Sequence, residues 1–265
     1  MIVGALGTDV TAELAAGEAA VANAPDSVFD VEYVDCDLIR RREPLTACWS
    51  ERFERLSPVR KIRPYPGQRS ITRDYWVATT RARLACESHL ERHHAMLLDF
   101  DPQVVGLAGQ PFRLFWPGRR GRQGHVPDLF VRRHDGQAVV VDVRPGELIE
   151  PEDAEAFAAT ARACELAGWA FRRVGTIEPV LLENVKWLAG YRRARFCDGE
   201  IAGSLMAAFA QPRTLFDGAH AVGDRIKVLP VLYHLLWLQK LRVDVASVRL
   251  GPDSVVSTPS LPGGP

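Results

Sequence analysis

The stretch HVPDLFVRRHDGQAVVVDVRP, residues 125–145, decides the reading of this chain. At its centre, His134-Asp135-Gly136 has the form of a three-residue hairpin loop: a type I turn closed by a glycine in the left-handed conformation. With that loop, facing residues have numbers that sum to 270, so Asp128 stands opposite Asp142. A two-residue loop would send them to opposite faces. Directly opposed positions bring Cβ atoms to about 4.5–5.5 Å. Arg144, two residues beyond Asp142, shares its face, while Val139, Val141 and Val143 turn toward the core.

Two carboxylates this close repel by about 4 kcal/mol at ~4 Å and an effective dielectric of ~20. A fold tolerates that when a cation neutralises them or one acid keeps its proton. Arg144 supplies part of the charge. A divalent ion such as Mg2+ supplies more, and it favours a few carboxylates together with water and phosphate oxygens. A third carboxylate is available from the segment CESHLERHHAMLLD (86–99), which reads as a helix and carries Glu87 and Glu91 one turn apart. An Asp–Arg pair on a hairpin is also the ordinary form of a surface ion pair.

Outward from the hairpin, short β-like runs appear at 104–108, 112–116, 126–131 and 138–144. A helix at 151–167, bracketed by Pro151 and Gly168, leads to a strand at 169–174 and a helix at about 179–190. This order predicts a mixed α/β domain. Further on, 201–210, 214–222 and 226–240 read as three helices, and 241–248 with 254–257 as a β-ribbon, a pattern suggestive of a winged helix. Residues 25–75 mix prolines, arginines and short apolar runs and read as an irregular arm, preceded by an Ala-rich helix at 11–23. The expected division is an arm at 1–75, a central domain at 76–195 and a C-terminal domain at 196–265.

Net charge is zero but unevenly spread: residues 1–39 hold eight acids and no Lys or Arg, whereas 40–83 hold twelve Lys/Arg against four acids. Such a basic block either attracts phosphate or pairs with the acidic segment before it. Zero net charge argues against a protein that coats nucleic acid indiscriminately. Five scattered cysteines without CxxC spacing point away from a disulfide framework or zinc knuckle and toward a reducing, cytoplasmic setting. The first residues lack the pattern of a signal peptide, and no apolar run reaches the ~18 residues of a membrane span.

Several segments, taken in order, resemble the catalytic domain of TnsA-type transposon endonucleases, in the PD-(D/E)xK nuclease superfamily. They are ESHLERHHAMLLDFDPQV (87–104), Gln110-Pro111, PDLFV (127–131), VVDVRP (140–145) and EPVLLENVKWLAGY (178–191). The resemblance selects Glu91 over Glu87 through the Ser-x-Leu-Glu element, maps the PD aspartate to Asp128, and maps the (E/Q)xK strand pair to Asp142 and Arg144. It implies a restriction-endonuclease-like mixed sheet flanked by helices, with a winged-helix-like C-terminal domain. It also implies Mg2+-dependent cleavage at the 5′ ends of a transposon, with Mn2+ able to substitute. The implied partners are double-stranded DNA at the transposon ends, a DDE transposase subunit and an AAA+ ATPase regulator. The implied metal ligands are Glu91, Asp128 and Asp142.

The chain departs from that pattern at Arg144, where lysine is usual. Arginine stays charged and cannot act as a general base, although it can stabilise charge on a phosphate. Arg113, Arg119, Arg120, Arg122, Arg132 and Arg133 flank the expected site and suit phosphate contacts, which set register without reading sequence. His89 and His93 share a helix face but lack a third ligand of comparable promise. Two rivals stand beside this reading: a nuclease of the same chemistry in restriction or repair, and a non-catalytic DNA- or partner-binding subunit silenced by Arg144.

Overall fold

The computed structural model describes residues 28–60, 73–118, 121–146 and 150–259, so the Ala-rich helix expected at 11–23 lies outside the described residues. The chain divides into two compact units, one ending at Thr176 and one beginning at Ile177. The boundary expected at 195/196 falls inside the second unit, since the helix at 179–189 packs with helices that follow it.

The first unit is mixed α/β. In chain order it holds β1 (Asp30–Val34), β2 (Arg40–Pro44), the short helix α1 (Leu45–Cys48), β3 (Arg73–Val77), β4 (Ala82–Cys86) and helix α2 (His89–Phe100). There follow β5 (Val104–Gly109), β6 (Arg113–Gly118), β7 (Gly121–His125), β8 (Leu129–Arg133), β9 (Ala138–Val143), helix α3 (Pro151–Leu166) and β10 (Ala170–Val174). One sheet runs β10-β9-β8-β5 and a second runs β2-β1-β6-β7, while β3 and β4 form a hairpin of their own. In the first sheet β10 lies parallel to β9, the α3 segment making the crossover, and the other pairings are antiparallel.

The central hairpin has the register its loop predicts. Leu129 pairs with Val141, Phe130 with Val140 and Val131 with Val139. Gly136 takes a φ of 88°, and its N–H donates to the Arg133 carbonyl at 3.0 Å. The face of Val139 and Val141 is buried as expected, with Val143 partly so. Helix α2 packs against β5 and β9, yet the other face is buried too, with Phe130, Ala138 and Val140 inside one apolar cluster. Asp142 shares that second face by strand alternation and is itself buried.

The expectation of an irregular arm is also corrected for its described part. Strand β1 sits between β2 and β6, and Phe29, Val31 and Tyr33 enter the core. Phe53, in a 3-10 turn, centres an aromatic cluster with Tyr33, Phe112, Phe130 and Trp169, ring centroids 5.0–5.7 Å away, mostly edge-on. Strand β2, RRREP, is mostly exposed and has no apolar alternation to read. Its arginines answer the acids before it: Arg40 pairs with Glu32, Arg41 with Asp35 at 2.6 Å, and Arg42 with Asp30 at 3.3 Å. This part of the basic block is thus engaged with the acidic segment.

The second unit holds α4 (Pro179–Ala189), α5 (Gly199–Ala208), β11 (Arg213–Thr214), α6 (Leu215–Val222), α7 (Arg225–Trp237) and β12 (Val255–Val256). The last three helices begin at side-chain caps, Asp198, Thr214 and Asp224, each accepting from a backbone N–H of the first turn. The ribbon expected between 241–248 and 254–257 forms otherwise: β12 pairs with β11, and only the single bridge Arg242–Ser257 joins the two expected segments. The cause is local. Asp244 accepts from the N–H groups of Ala246 and Ser247 and folds a turn there. Buried Asn184 donates to the carbonyls of Val245 and Val248 and accepts from the Leu250 N–H, which uses the hydrogen bonds a strand would need. All five cysteines are free, and no helix among the described residues is long and apolar enough to cross a membrane.

Candidate functional site

Where β8 begins and β9 ends, the hairpin register places Asp128 and Asp142 side by side. The Asp128 N–H donates to Asp142 Oδ1 at 3.3 Å, and the Val143 N–H donates to Asp128 Oδ2 at 2.7 Å. A cleft of about 400 Å³ opens over them, lined by Arg60, Glu87, Glu91, Arg113, His125 and Arg144 among others. The Asp128 carboxyl is pushed well above the usual range by burial first, then by the negative charges of Asp142 and Glu91. This is the coupling expected of acids that share one low-dielectric spot.

Glu91 reaches the cleft from the first turn of α2. Ser88 caps this helix by accepting from the Glu91 N–H at 3.1 Å, and Glu91 Oε2 accepts from the Glu87 N–H at 2.8 Å. The Ser-x-Leu-Glu element thus works as a helix start as well as a source of negative charge, a variation on the capping box. Burial raises the Glu91 carboxyl above its ordinary value, and the Glu87 hydrogen bond opposes that rise. Glu87 itself pairs with Arg60 at 2.5 Å, which the sequence reading did not single out.

Arg144 lines the cleft but is held. Its guanidinium makes a two-pronged contact with Asp153 on α3, Nη2 to Oδ1 at 2.9 Å and to Oδ2 at 2.7 Å. Asp153 also accepts from the Glu150 N–H at 3.2 Å, so one carboxylate both caps α3 and anchors Arg144. The Asp153 contact raises the Arg144 pKa further, so it stays a cation.

Of the six flanking arginines, Arg113 lines the cleft. Arg122 pairs with Asp30 and lies near the Phe115 ring. Arg132 and Arg133 are not at the site: they end β8, about 13 and 16 Å along the strand from Asp128 at ~3.3 Å per residue. There Arg132 bonds buried Glu54 at 3.3 Å and the Gly136 carbonyl at 3.0 Å, and Arg133 pairs with Asp135 at 3.6 Å. Arg119 and Arg120 lie outside the described residues. Gln110 meets the site through its backbone, its N–H donating to the Asp128 carbonyl at 2.9 Å. Its buried amide has no hydrogen-bond partner among the described residues.

The sequence reading overlooked His125, although it stands three residues before Asp128. It ends β7, and its Nε2 lies 3.0 Å from both oxygens of Asp142. The available signal was its place in the quoted stretch, but β7 (GRQGH) has no apolar alternation to identify it as a strand.

The donor set suits a hard cation: Asp128 and Asp142 adjoin, and Glu91 faces the same cleft. Among the described residues, however, no three His, Cys, Asp or Glu side chains form a ready-made cage. Mg2+ does not require one, since it is commonly held by one or two carboxylates plus water and substrate phosphates. Compared with family models and with curated proteins, the sequence finds no match.

Proposed function

We propose that this chain is a metal-dependent DNA endonuclease of the PD-(D/E)xK type, acting as a TnsA-like subunit at transposon 5′ ends. In this reading the first unit is the restriction-endonuclease-like nuclease and the second a winged-helix-like module that meets partner subunits. The observation that carries it is the Asp128–Asp142 juxtaposition in a cleft shared with Glu91 and rimmed by Arg60, Arg113 and Arg144. Asp128 and Asp142 would hold Mg2+ or Mn2+, with Glu91 on the same side. The ion would supply Lewis acidity and neutralise charge at the phosphate. Arg113 would position the DNA backbone, and Arg144, released from Asp153, would stabilise charge developing on the phosphate. A DDE transposase and an AAA+ regulator are the proposed partners.

The test is nicking of duplex DNA carrying transposon ends, with Mn2+ or Mg2+, alone and with co-expressed partners. Asp128→Ala should lower the metal-dependent rate at least a hundredfold while the protein stays folded. An unchanged rate would remove the assignment. The Asp153 clamp on Arg144 favours a second reading, a non-catalytic DNA- or partner-binding subunit. Failure of the unaltered chain to bind Mn2+ at millimolar concentration would decide for it.

A further inference from the structure

Asp142 is buried, and two donors aim at its carboxylate: the Asp128 N–H and the His125 ring. A carboxylate that holds a cation only accepts, so in the cation-bound site His125 Nε2 would carry the hydrogen and donate to Asp142. Two elements fix that ring. Its backbone is held in the β6–β7 ladder, where His125 faces Leu114. Its plane stands edge-on to Phe157 of α3, centroids 6.2 Å apart at 86°. Phe157 is buried and gives the imidazole a wall on that side, while the ring's other side borders the cleft. One turn earlier on α3 stands Asp153, the residue that holds Arg144.

We propose that His125 is a positioning residue: it locks the Asp142 carboxylate in the rotamer that faces the cleft, so that a divalent cation meets both aspartates preorganised. This rests on the nuclease reading. Groups that hydrogen-bond a metal ligand typically change metal affinity or activity by about 10–100-fold when removed. The contribution is orientation, because a carboxylate free to rotate must be fixed anew at each binding event.

The test compares His125→Leu, which fills the ring's space without a donor, with His125→Gln, which restores a donor at similar reach. Mn2+ binding to the purified full chain is read by electron paramagnetic resonance without DNA. Nicking kinetics are read separately. The leucine variant should bind Mn2+ about tenfold more weakly and lose a similar factor in kcat, with KM for DNA within about twofold. The glutamine variant should recover most of both. Wild-type Mn2+ affinity in the leucine variant overturns the proposal, as does a glutamine variant as weak as the leucine one. If the leucine variant does not fold, His125→Asn, whose amide falls short of Asp142, takes its place under the same criteria. An unaltered chain that neither binds Mn2+ nor nicks DNA brings down the nuclease reading and this proposal together. Normal binding and nicking in both chain and variant bring down the proposal alone.

Discussion

At the residue scale the informative group is Asp128. Its carboxyl titrates well above the usual range because it is buried beside Asp142 and Glu91. A raised carboxyl pKa means that, across the window from about pH 4 upward to that raised value, the folded state holds more protons than the unfolded one. Stability then falls as pH rises through that window. Asp128→Asn removes the charge while keeping an oxygen to accept from the Val143 N–H. We expect it to stabilise the metal-free protein at pH 7 by about 1 kcal/mol, or roughly 2–4 °C in Tm for a domain of this size. The gain should shrink toward pH 4, and added Mn2+ should stabilise the parent chain but not the variant. Thermal melts at several pH values check this; a variant destabilised at neutral pH would contradict it. Residues of this kind were legible beforehand: a turn motif and a count of positions sufficed to pair Asp128 with Asp142. His125 was not, because it approaches from another sheet.

At the element scale, regular segments with apolar periodicity appear where their pattern puts them, helices α2 to α7 above all. What escaped were β1, β3 and β4, hidden in or beside a segment read as an irregular arm, the charge-rich strands β2 and β7, and a segment whose alternation was overridden. LRVDVASV reads as a strand, but Asp244 and buried Asn184 take its hydrogen bonds. Close helix packing in the second unit is equally invisible in sequence. Gly218 on α6 lies against Phe209, and a Cβ there would sit 2.1 Å from the ring. Phe209 is fully buried and has no space to yield. Gly218→Ala should therefore cost about 1–3 kcal/mol despite the better helix propensity of alanine. Chemical denaturation measures it, and a neutral or stabilising result would show that the α5–α6 contact can open.

At the scale of the whole molecule, a net charge of zero means that the proposed binding to DNA would depend on local fields rather than on overall attraction. The structure sorts the arginines accordingly. Arg113 lines the cleft, whereas Arg132 is tied to Glu54 and the Gly136 carbonyl. Binding of duplex DNA, followed by anisotropy between about 50 and 200 mM salt, should show the difference. Arg113→Ala should flatten the slope of log K against log salt by about 1, and Arg132→Ala should leave it unchanged. Equal slopes for both variants would mean that the cleft is not where phosphate lies.

The amino-acid sequence by itself determined the mixed α/β class, the hairpin register and the facing of Asp128 and Asp142. These follow from rules acting over a few residues: turn chemistry, strand alternation and helix periodicity. Only the tertiary structure decided which groups meet from distant segments. It brought His125 onto Asp142 and Asp153 onto Arg144, and drew the arm at 28–57 into the core around Phe53. Such meetings depend on packing between sheets and on which charges find partners when water is excluded, and no local pattern encodes either.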